Sequence, residues 1–136
     1  MYEVIEHTAD VGLRIRAADL ETLFVEAAQG LFSLIVPDLA AVRTTDSIYF
    51  ELQGEISELL LFDWLNELLF TYETQHLLLA QFEVKFGKFG MRATAQGEAL
   101  NHERHALDHE VKAITYHGLK LEKQTDHWLA EVILDI

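Results

Sequence analysis

Cysteine is absent from the 136-residue chain, proline occurs once and glycine seven times. Without cysteine there is no disulfide, no thiolate nucleophile and no Cys-ligated zinc. So little proline and glycine excludes a fibrous or linker-like chain. Basic residues are also scarce: 10 Lys and Arg stand against 23 Asp and Glu, a net charge of −13. They are scattered singly, Arg14 and Arg16 being the nearest two. Such a surface repels phosphate backbones and anionic lipid, so direct nucleic-acid or membrane-surface binding is a poor fit. Apolar runs are short, and the run at 59–62 is stopped by Asp63, so no segment reads as a membrane span. The first residues lack a basic stretch followed by an apolar one, so a signal peptide is not expected and a cytoplasmic location is.

Half of the residues are hydrophobic and 10 % are aromatic, enough to fill the core of one domain over residues 1–136. Val11, Leu13, Ile15 and Ala17 alternate with polar or small residues, the period of a half-buried strand, with a shorter strand over 2–5. Leu20, Phe24, Ala27, Leu31 and Ile35 recur at helical steps behind Asp19, a natural N-cap. A strand over 48–52 ends at Gly54, and a leucine-rich helix covers 55–73, its polar face carrying Glu58, Asp63, Asn66, Glu67 and Thr71. Alternation over 82–86 and 91–95 around Gly87 and Gly90 predicts a hairpin. Residues 111–116 and 128–136 read as two more strands around a turn at 123–126. This order predicts an α+β fold of two layers, a mainly antiparallel sheet with two helices packed on one face.

Four features could carry chemistry. Asp10, with His7 and Thr8, sits where a loop could present a carboxylate, although an Asx-type turn explains the same residues. Asp135 and the carboxylate of Ile136 could chelate a hard divalent cation through oxygen, with Asp10 as a third group if the fold brings the ends together. A solvated terminus is the simpler alternative. Lys112 lies between apolar residues on an expected strand and is either solvent-facing or a cation held near carboxylates or a phosphate. His102, His105 and His109, with Asp108 and His117 nearby, invite a zinc reading, but a polar loop with one or two structural histidines fits better. No phosphate-binding glycine motif and no nucleophile elbow is present.

These features, in their order, resemble the archease family. The likeness runs through Glu6-His7-Thr8-Ala9-Asp10-Val11-Gly12, Gly97-Glu98, Arg104-His105 and Glu110-Val111-Lys112-Ala113-Ile114-Thr115-Tyr116-His117. It closes on Trp128-Leu129-Ala130-Glu131-Val132-Ile133-Leu134-Asp135-Ile136. The resemblance implies a small α+β protein containing a strand–helix–strand–strand unit inserted in a larger sheet. It implies no catalytic activity of its own. The implied role is cofactor to a GTP-dependent RNA ligase of tRNA splicing, speeding guanylylation of the ligase and allowing multiple turnover, with RNA met only through that ligase. It implies a divalent cation, Ca²⁺ or Mg²⁺, at Asp10, Asp135 and the Ile136 carboxylate, and functional or partner-facing roles for His7, Lys112 and His117. A stand-alone metal-dependent enzyme, or a chaperone-like module for other nucleic-acid enzymes, is the alternative.

Overall fold

The computed structural model describes residues 1–6 and 9–136. Its strands are β1 (Tyr2–Glu6), β2 (Asp10–Ala17), β3 (Asp46–Gln53), β4 (Leu77–Phe86), β5 (Gly90–Ala99), β6 (Ala113–Lys123) and β7 (Trp128–Asp135). Helix α1 (Leu20–Ile35) follows β2, and α2 (Glu58–Gln75) lies between β3 and β4. The α+β class stands, but the strands form two sheets where one was expected. β1-β2-β7-β6 make the first and β3-β5-β4 the second, with every neighbouring pair antiparallel. The second sheet and α2 are one consecutive strand–helix–strand–strand unit. Its strands bond to one another rather than to β2 or β7, which splits the sheet.

The alternation of β2 and β7 explains how the first sheet sits. Val11, Leu13 and Ile15, with Ala130, Val132 and Leu134, are all buried. Helix α1 starts where the Asp19 carboxylate accepts the Thr22 amide at 2.8 Å, a bond that holds the Asp19 pKa below its ordinary value. The two helices meet where Trp64 Nε1–H donates to the Phe24 carbonyl at 3.0 Å. Trp64 also packs edge-on against Phe50 of β3 and Phe82 of β4, which ties α2 to the second sheet.

Three local expectations need correction. Helix α2 begins at Glu58 because the Ser57 hydroxyl caps the Leu60 amide at 3.3 Å. Thr71, expected on its polar face, is buried, and its hydroxyl returns to the Glu67 carbonyl at 2.9 Å. β6 begins at Ala113 rather than Val111 and runs on to Lys123. It absorbs a register shift between Thr115 and Lys120 around Gly118, whose φ of 72° an L side chain rarely adopts.

Gly97 is the tightest backbone approach. It lies on β5 between Asp46 of β3 and Leu79 of β4, and a Cβ there would stand 1.8 Å from the Leu78 carbonyl oxygen. At Gly12 the nearest atoms would be at an ordinary 3.6 Å. Gly97→Ala should therefore lower unfolding free energy by about 1–3 kcal/mol, the cost of overpacking. Gly12→Ala should change it by less than about 1 kcal/mol. Urea titrations of the two variants check this, and an equally stable Gly97→Ala would show that the second sheet can spread there.

Candidate functional site

The β2–β7 ladder brings the sequence-distant carboxylates together. Asp10 and Asp135 are direct cross-strand partners. The Ile136 amide donates to the Ala9 carbonyl at 3.4 Å, which makes the Asp10–Asp135 pair a non-hydrogen-bonded one, the kind whose side chains stand closest. Elsewhere on the same face, opposite charges meet. Arg14 faces Glu131 at 3.4 Å, and Arg16 reaches Glu3 of β1 at 2.6 Å. On this face, among the described residues, only the tip sets like charges opposite each other; in the second sheet Lys85 faces Arg92. Among the described residues, neither Asp10 nor Asp135 forms an ion pair. Two facing carboxylates with no compensating side chain, beside backbone and α-carboxylate oxygen, are a donor set suited to a hard divalent cation. No cluster of three or more His, Asp or Glu side chains with metal-holding geometry occurs among the described residues, so any cation here rests on the two aspartates plus main-chain oxygen.

Lys112 arrives at the same place. Its amide donates to the Asp135 carbonyl at 2.8 Å, and Ala113, the next residue, pairs with Asp135. The Lys112 side chain is exposed. His117 is exposed too, but it lies four residues beyond Ala113 along β6, about 13 Å from it at the usual strand rise, so it does not join the carboxylate pair. His7 lies outside the described residues. Ile136 is half-buried against the core, which holds the end of β7 in place.

The histidine-rich stretch does not converge. His102 is exposed, His109 lies near Glu6 at 3.5 Å, and His105 is buried. His105 is a structural histidine. The Asn101 amide donates to its Nδ1 at 2.9 Å, which leaves Nε2 as the ring N–H, 3.0 Å from Glu98 Oε2. The guanidinium of Arg104 pairs with Glu98 Oε1, and the Arg43 amide donates to Oε2 at 2.6 Å. Burial alone would raise the Glu98 pKa; the Arg43 amide, the guanidinium and His105 outweigh it and bring it from 4.5 down to about 2. Beyond this clamp, the Asp108 and His109 amides donate to the Ile35 and Leu34 carbonyls, satisfying the last turn of α1. Segment 101–112 is thus tied at Glu98, at the end of α1 and at Asp135, and it delivers Lys112 to the tip. Glu98 carried no chemical signal in the sequence beyond its place in the motif, because its partners are 55 and 7 residues away.

A model of the archease protein family matches residues 2–136. The chain belongs to the archease family. It is 42 % identical to the archease of Methanopyrus kandleri, with 99 % of each chain covered. It is 39 % identical to that of Pyrococcus furiosus, covering 99 % of this chain and 98 % of the relative. Among solved structures, the solution structure of Methanobacterium thermoautotrophicum protein 1598 superposes with a TM-score of 0.86 at 34 % identity, covering 99 % and 98 %. The crystal structure of an archease, described as a possible chaperone, from Thermotoga maritima has a TM-score of 0.70 at 23 % identity, covers 100 % and 98 %, and supports the archease fold alone. No helix in the described residues of this archease is long and apolar enough to cross a membrane.

Replacing Glu98 tests the clamp. Glu98→Gln should cost about 1.5–3 kcal/mol at pH 7, the range for hydrogen bonds to a charged group. The depressed pKa makes this contribution complete above pH 4.5 and lost as pH falls through about 2. The stability gap between wild type and variant in urea should accordingly close between those values. A gap independent of pH across that window would show that the carboxylate charge is not what holds segment 101–112.

Proposed function

We propose that this archease activates a GTP-dependent RNA-splicing ligase, promoting guanylylation of the ligase and multiple turnover without catalysing RNA joining itself. The observation that carries this reading is the facing pair Asp10–Asp135, with Lys112 attached to the same strand end. A folded sheet gains nothing from like charges placed opposite each other; they cost stability. Their use is outward: they offer anionic oxygen to a cation or to a partner's ligand set. Membership of the archease family, and the role its resemblance implies, supplies the partner class. The acidity fits as well, because a chain of net charge −13 serves RNA chemistry more readily through a ligase than by touching RNA.

We further propose that Asp10 and Asp135, with the α-carboxylate of Ile136, hold Ca²⁺ or Mg²⁺. When bound, such a cation supplies positive charge and open coordination positions at the tip. Asp10 and Asp135 supply the oxygens, and the β2–β7 ladder fixes their spacing. Lys112, fixed by its amide at Asp135, offers an exposed ammonium to a phosphate oxygen.

The test uses Asp10→Asn and Asp135→Asn, near-isosteric changes that remove one charge each. Both variants should keep or slightly gain stability, by about 0.2–1 kcal/mol, because a repulsive pair is relieved. Calorimetric Ca²⁺ or Mg²⁺ binding and stimulation of ligase turnover should fall together. Stimulation that survives in both variants would sink the assignment of the site. Ligase turnover that is indifferent to the wild-type protein would sink the activator reading and favour a chaperone-like role.

A further inference from the structure

The outer face of α2 is built unlike the rest of the surface. From Glu58 to Gln75 the helix contains no Lys, Arg or His. Glu58, Asp63, Glu67 and Glu73 are exposed, and among the described residues none of them forms an ion pair. Glu73 lies in the last turn, where the helix dipole disfavours an anion and where no basic residue compensates it. Phe70, 60 % exposed, stands between Glu67 and Glu73 on the same face. Leu59, 56 % exposed, continues that stripe one helical step before Asp63. Glu58 favours the first turn of the helix, but Glu67, Glu73 and the exposed apolar residues gain the fold nothing where they stand.

This face borders a groove of about 500 Å³ between α2 and the start of β6, where Phe70, Glu67 and Glu73 meet Lys112 and Ala113. The seam runs about 12 Å along the helix, from Phe62, edge-on against Tyr116 at 5.6 Å, to Phe70 beside Lys112. It ends at the candidate site, since Ala113 pairs with Asp135 and Asp135 with Asp10. A macromolecule engaging the tip therefore has the groove in reach without leaving the surface.

We propose that the α2–β6 groove is the docking seat for the ligase, taken by a basic segment of that partner carrying one apolar anchor. This rests on the activator reading above. Charge complementarity selects the occupant. Glu67 and Glu73, which flank Phe70 and outnumber the one cation of the groove, Lys112, repel an acidic partner and attract Lys and Arg, and Phe70 gives the anchor its apolar contact. Aromatic residues are enriched at interface centres, and the rim around them is polar. A second copy of this chain fits badly, because it would set two acidic faces against each other.

The test compares Phe70→Ala, the double variant Glu67→Lys/Glu73→Lys, and a control, Phe89→Ala, in the 77 % exposed residue preceding β5. Binding to the purified ligase is followed by biolayer interferometry at low and high salt, with turnover in parallel. Phe70→Ala should weaken binding by about tenfold. The charge-swapped variant should bind more slowly and lose most of the salt dependence of association. Phe89→Ala should match wild type. Circular dichroism confirms folding, which these exposed positions do not threaten. If both groove variants bind and stimulate like wild type, the groove is not the seat, while the activator reading stands. If wild type neither binds nor stimulates the ligase, both fall together. A wild-type dimer in sedimentation that Phe70→Ala dissolves would also overturn the proposal, because the groove would then belong to a second copy.

Discussion

The antiparallel ladder between β2 and β7 is the constraint on which the rest depends. It joins Asp10–Ala17 to Trp128–Asp135 over eight consecutive pairs. Its register is fixed by burial, since Val11, Leu13 and Ile15 share the core face with Leu134, Val132 and Ala130. A slip of one residue would turn Arg14, Arg16 and Asp10 inward and expose the aliphatic row. That penalty far exceeds the repulsion of one facing aspartate pair, at most about 1 kcal/mol. The core therefore forces Asp10 against Asp135. The site is a by-product of packing in its geometry and of sequence in its charge.

Everything that reaches the tip is held by a similar logic. Segment 101–112 has no regular ladder of its own, and its order comes from polar groups pinned at buried places. Glu98 is nearly excluded from water, and a carboxylate there is tolerable only because an amide, a guanidinium and an imidazole N–H all aim at it. The capping of the Leu34 and Ile35 carbonyls then fixes the path between this clamp and Lys112. The proposed chemistry at one end of the molecule thus depends on a buried His105 that lies outside it.

Period explains which parts were legible in the sequence. β2, β7, α1 and the β4–β5 hairpin were readable because each buries one face and alternates accordingly. The split into two sheets was not, since pairing partners are a long-range property and every strand reads alike. β6 was misplaced at its start because Val111 is buried although it lies in the loop before the strand, and a buried valine looks the same in either setting. The pairing of Asp10 with Asp135 could only be stated as a condition, because 125 residues separate them and composition carries no register. The Glu98 clamp was invisible for the same reason. Thr71 was assigned to the polar face because a hydroxyl counts as polar in any periodic reading, whereas a helix lets it bond back to its own carbonyl and go inside.

The distribution of cost separates what folds this protein from what it does. Over most of the surface, charges are arranged to help: Arg14 faces Glu131, Arg16 meets Glu3, and Asp19 caps a helix. Some arrangements oppose stability: at the second sheet Lys85 faces Arg92 and Phe89 is 77 % exposed, and elsewhere stand the like-charged pair at the tip, an acid at the wrong end of α2, and exposed Phe70 and Leu59. The tip pair, Glu73 and Phe70 are joined through Ala113 and Lys112 into one stretch from the β2–β7 tip to the α2–β6 seam. Their adjacency is what a single partner would produce, one that brings positive charge to both ends of the stretch and an apolar side chain to its middle. On the activator reading, part of the folding energy of this protein goes into holding a few mismatched groups in register for that partner.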